Sequence, residues 1–165
     1  MAIKPLLDVP DGSSVFVDTN ILIYHLLEDE LYGIACRYFL KRVETGSVIA
    51  FTSPTVASET LFIYLRGWVV QNKNVAPKRV LSYLKRHRSV IEEVDFQKTL
   101  ALLGLLRQLP LNQEVMQASY DLMTRYQLLP ADSIQAALIR RHHLTALVTR
   151  DDDFDHVGGL DVYKS

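Results

Sequence analysis

Residues 14–20 read Ser-Val-Phe-Val-Asp-Thr-Asn. A short apolar, β-branched run without alternation suits a strand buried on both faces of a sheet. The run ends abruptly, so an acid, Asp18, follows the strand directly. Val48-Ile49-Ala50-Phe51 and Ala146-Leu147-Val148-Thr149 have the same character, and Leu160-Asp161-Val162-Tyr163 after Gly158-Gly159 makes a short last strand. Helical patterns fill the intervals. They run from Asn20 to Leu27, from Leu31 to Glu44 (stopped by Gly46), from Pro54, from Pro77 to His87, from Phe96 to Leu109, from Gln113 to Tyr126 and from Pro130 to His142. Ser53-Pro54 is a hydroxyl cap followed by proline at the first helical position. Val90 to Val94 reads equally as a strand or a link. Strands separated by helices require right-handed crossovers, so the predicted class is α/β, a mainly parallel sheet sandwiched by helices.

The 165 residues fit one compact domain, and 48% apolar with 22% charged residues excludes a disordered or collagen-like chain. No apolar run approaches the roughly 18–20 residues that span a bilayer. The opening Met-Ala-Ile-Lys-Pro-Leu-Leu-Asp has no long apolar stretch, so no secretory signal is expected, and a cytoplasmic location is. A single cysteine, Cys36, excludes an internal disulfide framework and a thiolate-rich zinc site. Net charge is only −1, yet Lys73, Lys78, Arg79, Lys85, Arg86 and Arg88 form a stretch with no acid, while Asp151, Asp152, Asp153 and Asp155 cluster near the C-terminus. Solvated surface explains either stretch alone; their separation suggests two different jobs.

In parallel sheets the crevice lies beyond the carboxyl ends of the strands. Asp18 follows the first strand and Asp151 comes two residues after the third, so topology alone sends both to that side. Asp132 falls in the first turn of the helix opened by Pro130, where the dipole favours an acid. Glu59 falls in the second turn of the helix opened by Pro54. Each has a bland reading, as an Asx turn, a dipole partner, an exposed helix position or a charged loop. Four converging acids would repel one another unless a cation sat between them, and hard oxygen donors select Mg2+ or Mn2+. Other chemistries lack their residues. The seven glycines make no phosphate-cradling loop, no Gly-x-Ser-x-Gly elbow exists, and the adjacent His142 and His143 diverge on a helix. His25, His87 and His156 are isolated, and Cys36 among Tyr38, Phe39 and Leu40 reads as a packing residue.

Val15-Phe16-Val17-Asp18-Thr19-Asn20-Ile21-Leu22-Ile23 resembles the opening motif of the PIN domain family, the fold of the VapC toxins of prokaryotic toxin–antitoxin pairs. Ser58-Glu59, Ala131-Asp132-Ser133 and Thr149-Arg150-Asp151-Asp152-Asp153-Phe154 match further motifs in the same order, over nearly the whole chain. The resemblance implies a three-layer α/β/α domain over residues 1–165, with its core at about 14–163. It implies a metal-dependent ribonuclease site of Asp18, Glu59, Asp132 and Asp151, Asp18 and Asp132 foremost as ligands. Thr19, Asn20 and Thr149 would orient those carboxylates by hydrogen bonds. Asp153 competes for the fourth place; Asp151 fits the family's pattern after Thr149-Arg150. The chain exceeds the compact toxins in length, and the surplus falls in a helical extension at about 68–109. It also carries about a dozen residues before the first strand.

The implied reaction is hydrolysis of RNA phosphodiester bonds with Mg2+ or Mn2+ as cofactor. Arg79, Arg86 and Arg88 are candidates for contacts to RNA phosphates, and Tyr24 and Trp68 for stacking on bases. The family further implies a homodimer and an antitoxin partner whose C-terminal segment occupies a groove near the acids. A haloacid-dehalogenase-type phosphatase needs a second Asp at position 20, where this chain has Asn. A receiver domain needs an acidic pair before the strand-end Asp and a late lysine after a strand. The remaining alternative is a PIN-like module that binds RNA or protein without catalysis.

Overall fold

A computed structural model describes residues 3–165; Met1 and Ala2, the start of the expected unit, lie outside the described residues. Six parallel strands form one sheet, β1 (Ile3–Pro5), β2 (Ser14–Val17), β3 (Ile49–Thr52), β4 (Arg107–Gln108), β5 (Ala146–Val148) and β6 (Asp161–Lys164), in the order β1-β6-β5-β2-β3-β4. The helices are α1 (Thr19–Leu26), α2 (Gly33–Glu44), α3 (Pro54–Lys73), α4 (Val80–Arg86), α5 (Gln97–Gly104), α6 (Gln113–Tyr126) and α7 (Pro130–Arg141). This is the α/β architecture expected from the alternating runs.

β2 and β5 lie at the centre, in register Val15–Ala146, Phe16–Leu147 and Val17–Val148. All six of those residues are buried, which is why neither strand alternates apolar with polar. From β2 the chain proceeds outward to β3 and β4, then returns across the sheet to β5 and β6. The strand order therefore reverses between β2 and β5, and a crevice opens there beyond the strands' carboxyl ends.

Local signals act as read. Ser53 caps α3 by accepting from the Val56 amide (3.2 Å), Pro54 stands at its first position, and Gly46 takes a φ of +80° where the chain turns towards β3. Three segments differ from expectation. The helix expected to reach Leu109 stops at Gly104, and the chain continues as β4, anchored by the Leu109 amide donating to the Thr52 carbonyl (2.9 Å). Val90 to Val94 is neither of the two forms considered; Arg88–Glu93 is a 3-10 helix. Before the first expected strand lies β1, which pairs with β6 at the sheet edge.

The expected extension at 68–109 divides between two cores. Leu102, Leu103, Leu106 and Leu109 join the main core around Phe16, Phe39 and Leu147. Val69, Val80, Leu84 and Val90 form a second, smaller core that fastens α4 to the far half of α3, with Trp68 and Tyr83 packed against it. Asn74, at φ 51°, closes α3 in the left-handed conformation that asparagine tolerates. Among the described residues no helix is long and apolar enough to cross a membrane.

Leu147 has no solvent exposure, and its removal leaves a cavity in the central layer. Leu147→Ala is expected to lower the free energy of unfolding by about 2–5 kcal/mol. Urea denaturation followed by circular dichroism measures this, and a loss below about 1 kcal/mol would contradict the packing described.

Candidate active site

Asp18 ends β2 and caps α1, so strand, turn and helix all fix its carboxylate. It is 6% exposed and accepts four hydrogen bonds. Oδ1 takes the Thr19 amide (2.7 Å) and Gln135 Nε2 (3.0 Å); Oδ2 takes Asn20 Nδ2 (2.8 Å) and Thr149 Oγ1 (2.7 Å). A carboxylate offers about four lone-pair directions, so this one is saturated. Burial raises its pKa nonetheless, against the donors Thr149, Gln135 and the Thr19 amide and with added repulsion from Glu59.

The neighbours hold one another in turn. Thr149 Oγ1 spends its single proton on Asp18 and accepts from Asn20 Nδ2 (3.1 Å) and the Asp151 amide (3.0 Å). Asn20 Oδ1 accepts from the Arg150 amide (3.0 Å), tying the start of α1 to the loop after β5. Thr19 Oγ1 donates to Glu59 Oε2 (2.9 Å), which fixes an otherwise exposed carboxylate of α3 beside the same turn. Thr19, Asn20 and Thr149 thus each hydrogen-bond a carboxylate of Asp18 or Glu59.

Asp132, Asp151 and Asp153 each bring a carboxylate oxygen to within 4.8 Å of the others. Asp132 comes from the first turn of α7 and the other two from the loop after β5. That loop sorts its acids. In the 3-10 turn Asp152–Phe154, the Asp153 amide donates to Asp151 Oδ1 (2.9 Å). Lys164 Nζ pairs with Asp152 (2.5 Å) and Asp155 (2.7 Å), leaving Asp151 and Asp153 to face Asp132. The sequence offered Asp151 or Asp153 as the fourth acid; the structure brings both to Asp132, with Asp18 and Glu59 near enough to be felt there. Burial first, then Asp151, Asp18, Asp153 and Glu59, push the Asp132 pKa up to about 7. Among the described residues no cation pairs with them: the Arg150 guanidinium lies over the Tyr32 ring, 4.5 Å from its centroid, and donates to its hydroxyl (2.8 Å).

Gln135 was not foreseen. It stands three positions after Asp132 on the same face of α7, a spacing that would have revealed it. Its side chain is 2% exposed, and Oε1 has no hydrogen-bond partner. Two aromatic candidates have packing partners of their own. Tyr24 packs on Tyr32, and Trp68 belongs to the small core under the Lys73 ammonium. Cys36 is fully buried and burial pushes its thiol up to about 11, in keeping with a packing role.

The PIN domain family model matches residues 15–160. This chain belongs to the PIN domain family. Ribonuclease VapC2 of Methanocaldococcus jannaschii is 28% identical over 154 residues, covering 93% of this PIN domain chain and 95% of the relative. Ribonuclease VapC6 of the same organism is 26% identical over 153 residues, covering 92% and 97%. Among solved structures, a toxin–antitoxin complex from Klebsiella pneumoniae aligns with a TM-score of 0.53 at 23% identity, covering 90% of this chain and 95% of that one. VapC20 of Mycobacterium tuberculosis, described as a sarcin-ricin loop cleaving toxin, aligns with a TM-score of 0.53 at 16% identity, covering 87% and 95%. The structural likenesses concern the PIN fold.

An acid whose folded-state pKa is raised from 3.8 to about 7 holds its proton more tightly in the folded chain. The stability it contributes is therefore fully present below about pH 4 and is lost as pH rises towards 7. In EDTA, Asp132→Asn is expected to melt higher than wild type at pH 7.5, with the difference vanishing near pH 4. Thermal unfolding across that range measures it, and equal melting at both ends would contradict the crowding described.

Proposed function

We propose that this PIN domain is a divalent-metal-dependent endoribonuclease hydrolysing RNA phosphodiester bonds, the toxin of a toxin–antitoxin pair. The observation that carries the reading is the meeting of Asp132, Asp151 and Asp153 within 4.8 Å at the topological switch point, with no lysine or arginine among them. The relatives named ribonucleases and the toxin–antitoxin neighbour agree with it. An antitoxin partner and a homodimer belong to the same reading.

The donor set fits a hard cation, since every candidate ligand atom is a carboxylate oxygen. Asp132, Asp151 and Asp153 would hold Mg2+ or Mn2+, with Asp18 contributing an oxygen in exchange for one of its four donors and Glu59 completing the acidic rim. When bound, such an ion activates water and polarises the scissile phosphate. The protein's own part is positioning. Thr149 holds Asp18 and the Asp151 amide together, so the β2 and β5 ends cannot drift apart. Thr19 points Glu59 inward, and the Asp153 amide fixes the Asp151 carboxylate. These carboxylates bind rather than donate protons, so neutralising one removes a ligand while keeping its shape.

Purified protein incubated with total cellular RNA and Mg2+ or Mn2+ is expected to create new RNA ends, mapped by sequencing. Asp132→Asn and Asp18→Asn are expected to abolish them with the fold retained by circular dichroism. Thr149→Val is expected to cost about 10–100-fold in rate, as loss of a ligand-orienting partner does. New ends that persist in Asp132→Asn would overturn the assignment, and none with wild type would favour a binding module.

A further inference from the structure

The basic stretch noted in the sequence acquires a face in the structure. The 3-10 turn Pro77–Arg79 runs directly into α4. Lys78 and Lys85, and likewise Arg79 and Arg86, are seven residues apart, about two helical turns, so each pair is stacked on one side. Ser82 lies between them, and all five residues are exposed. Val80 and Leu84 point the opposite way, 0% and 7% exposed, into the small core on Val69 and Val90. Arg88 follows the break at His87 and falls outside the stripe.

None of the four cations is in an ion pair among the described residues, whereas elsewhere Lys41 pairs with Glu44, Arg42 with Asp11 and Lys73 with Glu93. Ser82 Oγ donates to the Arg79 carbonyl and Arg86 Nε to the Ser82 carbonyl (2.9 and 3.2 Å), so the stripe is ordered by its own backbone. A cationic row on a helix that a dedicated core holds against α3 matches the spaced charges of a polyanion. An acidic peptide would carry similar charge. A nucleic-acid strand is favoured because Lys78, Arg79, Ser82, Lys85 and Arg86 form an exposed face with four cations and no acid, which suits a run of regularly spaced phosphates.

We infer that Lys78, Arg79, Lys85 and Arg86 form an auxiliary RNA-phosphate site, remote from the acids, that selects long substrates. This rests on the ribonuclease reading and deepens it. Val69, against which α4 packs, lies ten residues along α3 from Glu59, about 15 Å at 1.5 Å per residue. That distance alone takes roughly four nucleotides of a helical strand at about 3.4 Å each, and the cations lie on the face of α4 turned away from Val69, so more are needed. An RNA shorter than that cannot touch both ends; a longer one gains the extra contacts.

The test measures binding of a fluorescein-labelled twenty-nucleotide oligo-uridylate by anisotropy in EDTA, where cleavage is not read. The full-length K78Q/R79Q/K85Q/R86Q variant is compared with wild type and with R79K/R86K, which keeps the charge. Wild type is expected to show a salt dependence steeper by about 3 in log K against log salt than the quadruple variant, from four contacts at about 0.7 each. Its low-salt affinity is expected to exceed that of the variant by about tenfold or more, with R79K/R86K close to wild type. A tetranucleotide, with fewer phosphates to meet the four cations, is expected to show a smaller difference between wild type and the quadruple variant. Equal slopes for wild type and the quadruple variant, or no wild-type binding, would overturn the site. So would a labelled twenty-residue oligo-aspartate that binds wild type as tightly as the RNA. Absence of wild-type cleavage in the total-RNA assay with Mg2+ or Mn2+, together with the expected slopes here, would overturn the ribonuclease reading and leave the phosphate site standing.

Discussion

Everything at the carboxyl edge of the sheet depends on burying one charge. The Asp18 carboxylate lies where two central strands end, with no cation among the described residues against it, and water is replaced by four donors. A buried carboxylate lacking such donors would cost several kcal/mol. The donors come from the start of α1, from α7 and from the residue after β5, which are distant in sequence. The contacts therefore cannot be completed until the α7 helix and the β5 strand have docked. Assembly of the sheet centre and assembly of the site are one event, and a network saturated in this way also fixes where Asp151 begins.

The same geometry leaves a second group of acids deliberately unsatisfied. Lys164 neutralises Asp152 and Asp155 but not the residues between and before them. Arg150 is next to Asp151 in sequence, yet its guanidinium is turned away onto Tyr32. The fold thus has cations within reach and directs them elsewhere. Crowding Asp132, Asp151 and Asp153 is unfavourable for folding, and such uncompensated strain in charge is typical of sites that trade stability for binding. The relevant quantity is the difference between the two groups: Asp18 is fully hydrogen-bonded, while the trio keeps oxygens free.

The sequence was readable where burial dictated residue type. Val15-Phe16-Val17 and Ala146-Leu147-Val148 lie between two helical layers, so no polar residue could interrupt them, and a continuous apolar run is their signature. Asp18 and Asp151 were legible for the same reason, as the first acids after buried strands. β4 was not: Arg107 and Gln108 are both exposed and make an edge strand only because β3 presents a free ladder. β1 likewise takes its form from β6. Short edge strands are specified by their partner, which a single-sequence pattern does not contain. Gln135 stands at a spacing from Asp132 that could have flagged it, but a lone polar residue among Ala136, Ala137 and Leu138 reads as an exposed helix position when its partner 117 residues away is not considered. The sequence reading preferred Asp151 to Asp153; that both turn inward depends on the 3-10 turn and on Lys164 holding Asp152 and Asp155, which no single-sequence pattern contains.

Helix α3 connects the two charge regimes. Its first turns hold Glu59 at the acidic crevice by the Thr19 hydroxyl, and its last turns hold α4 through Val69. A helix of 20 residues is about 30 Å long. Glu59 and Val69 are about 15 Å apart along it, roughly two Debye lengths of about 8 Å at physiological salt, so the two charged regions are largely screened from one another. A net charge of −1 then describes neither end. Were the cations beside the acids, they would pair with them, quench the site and lose their own affinity for phosphate. The second core of Val69, Val80, Leu84 and Val90 fixes α4 against the far half of α3, so its exposed cations stay apart from the acids at the other end of that helix.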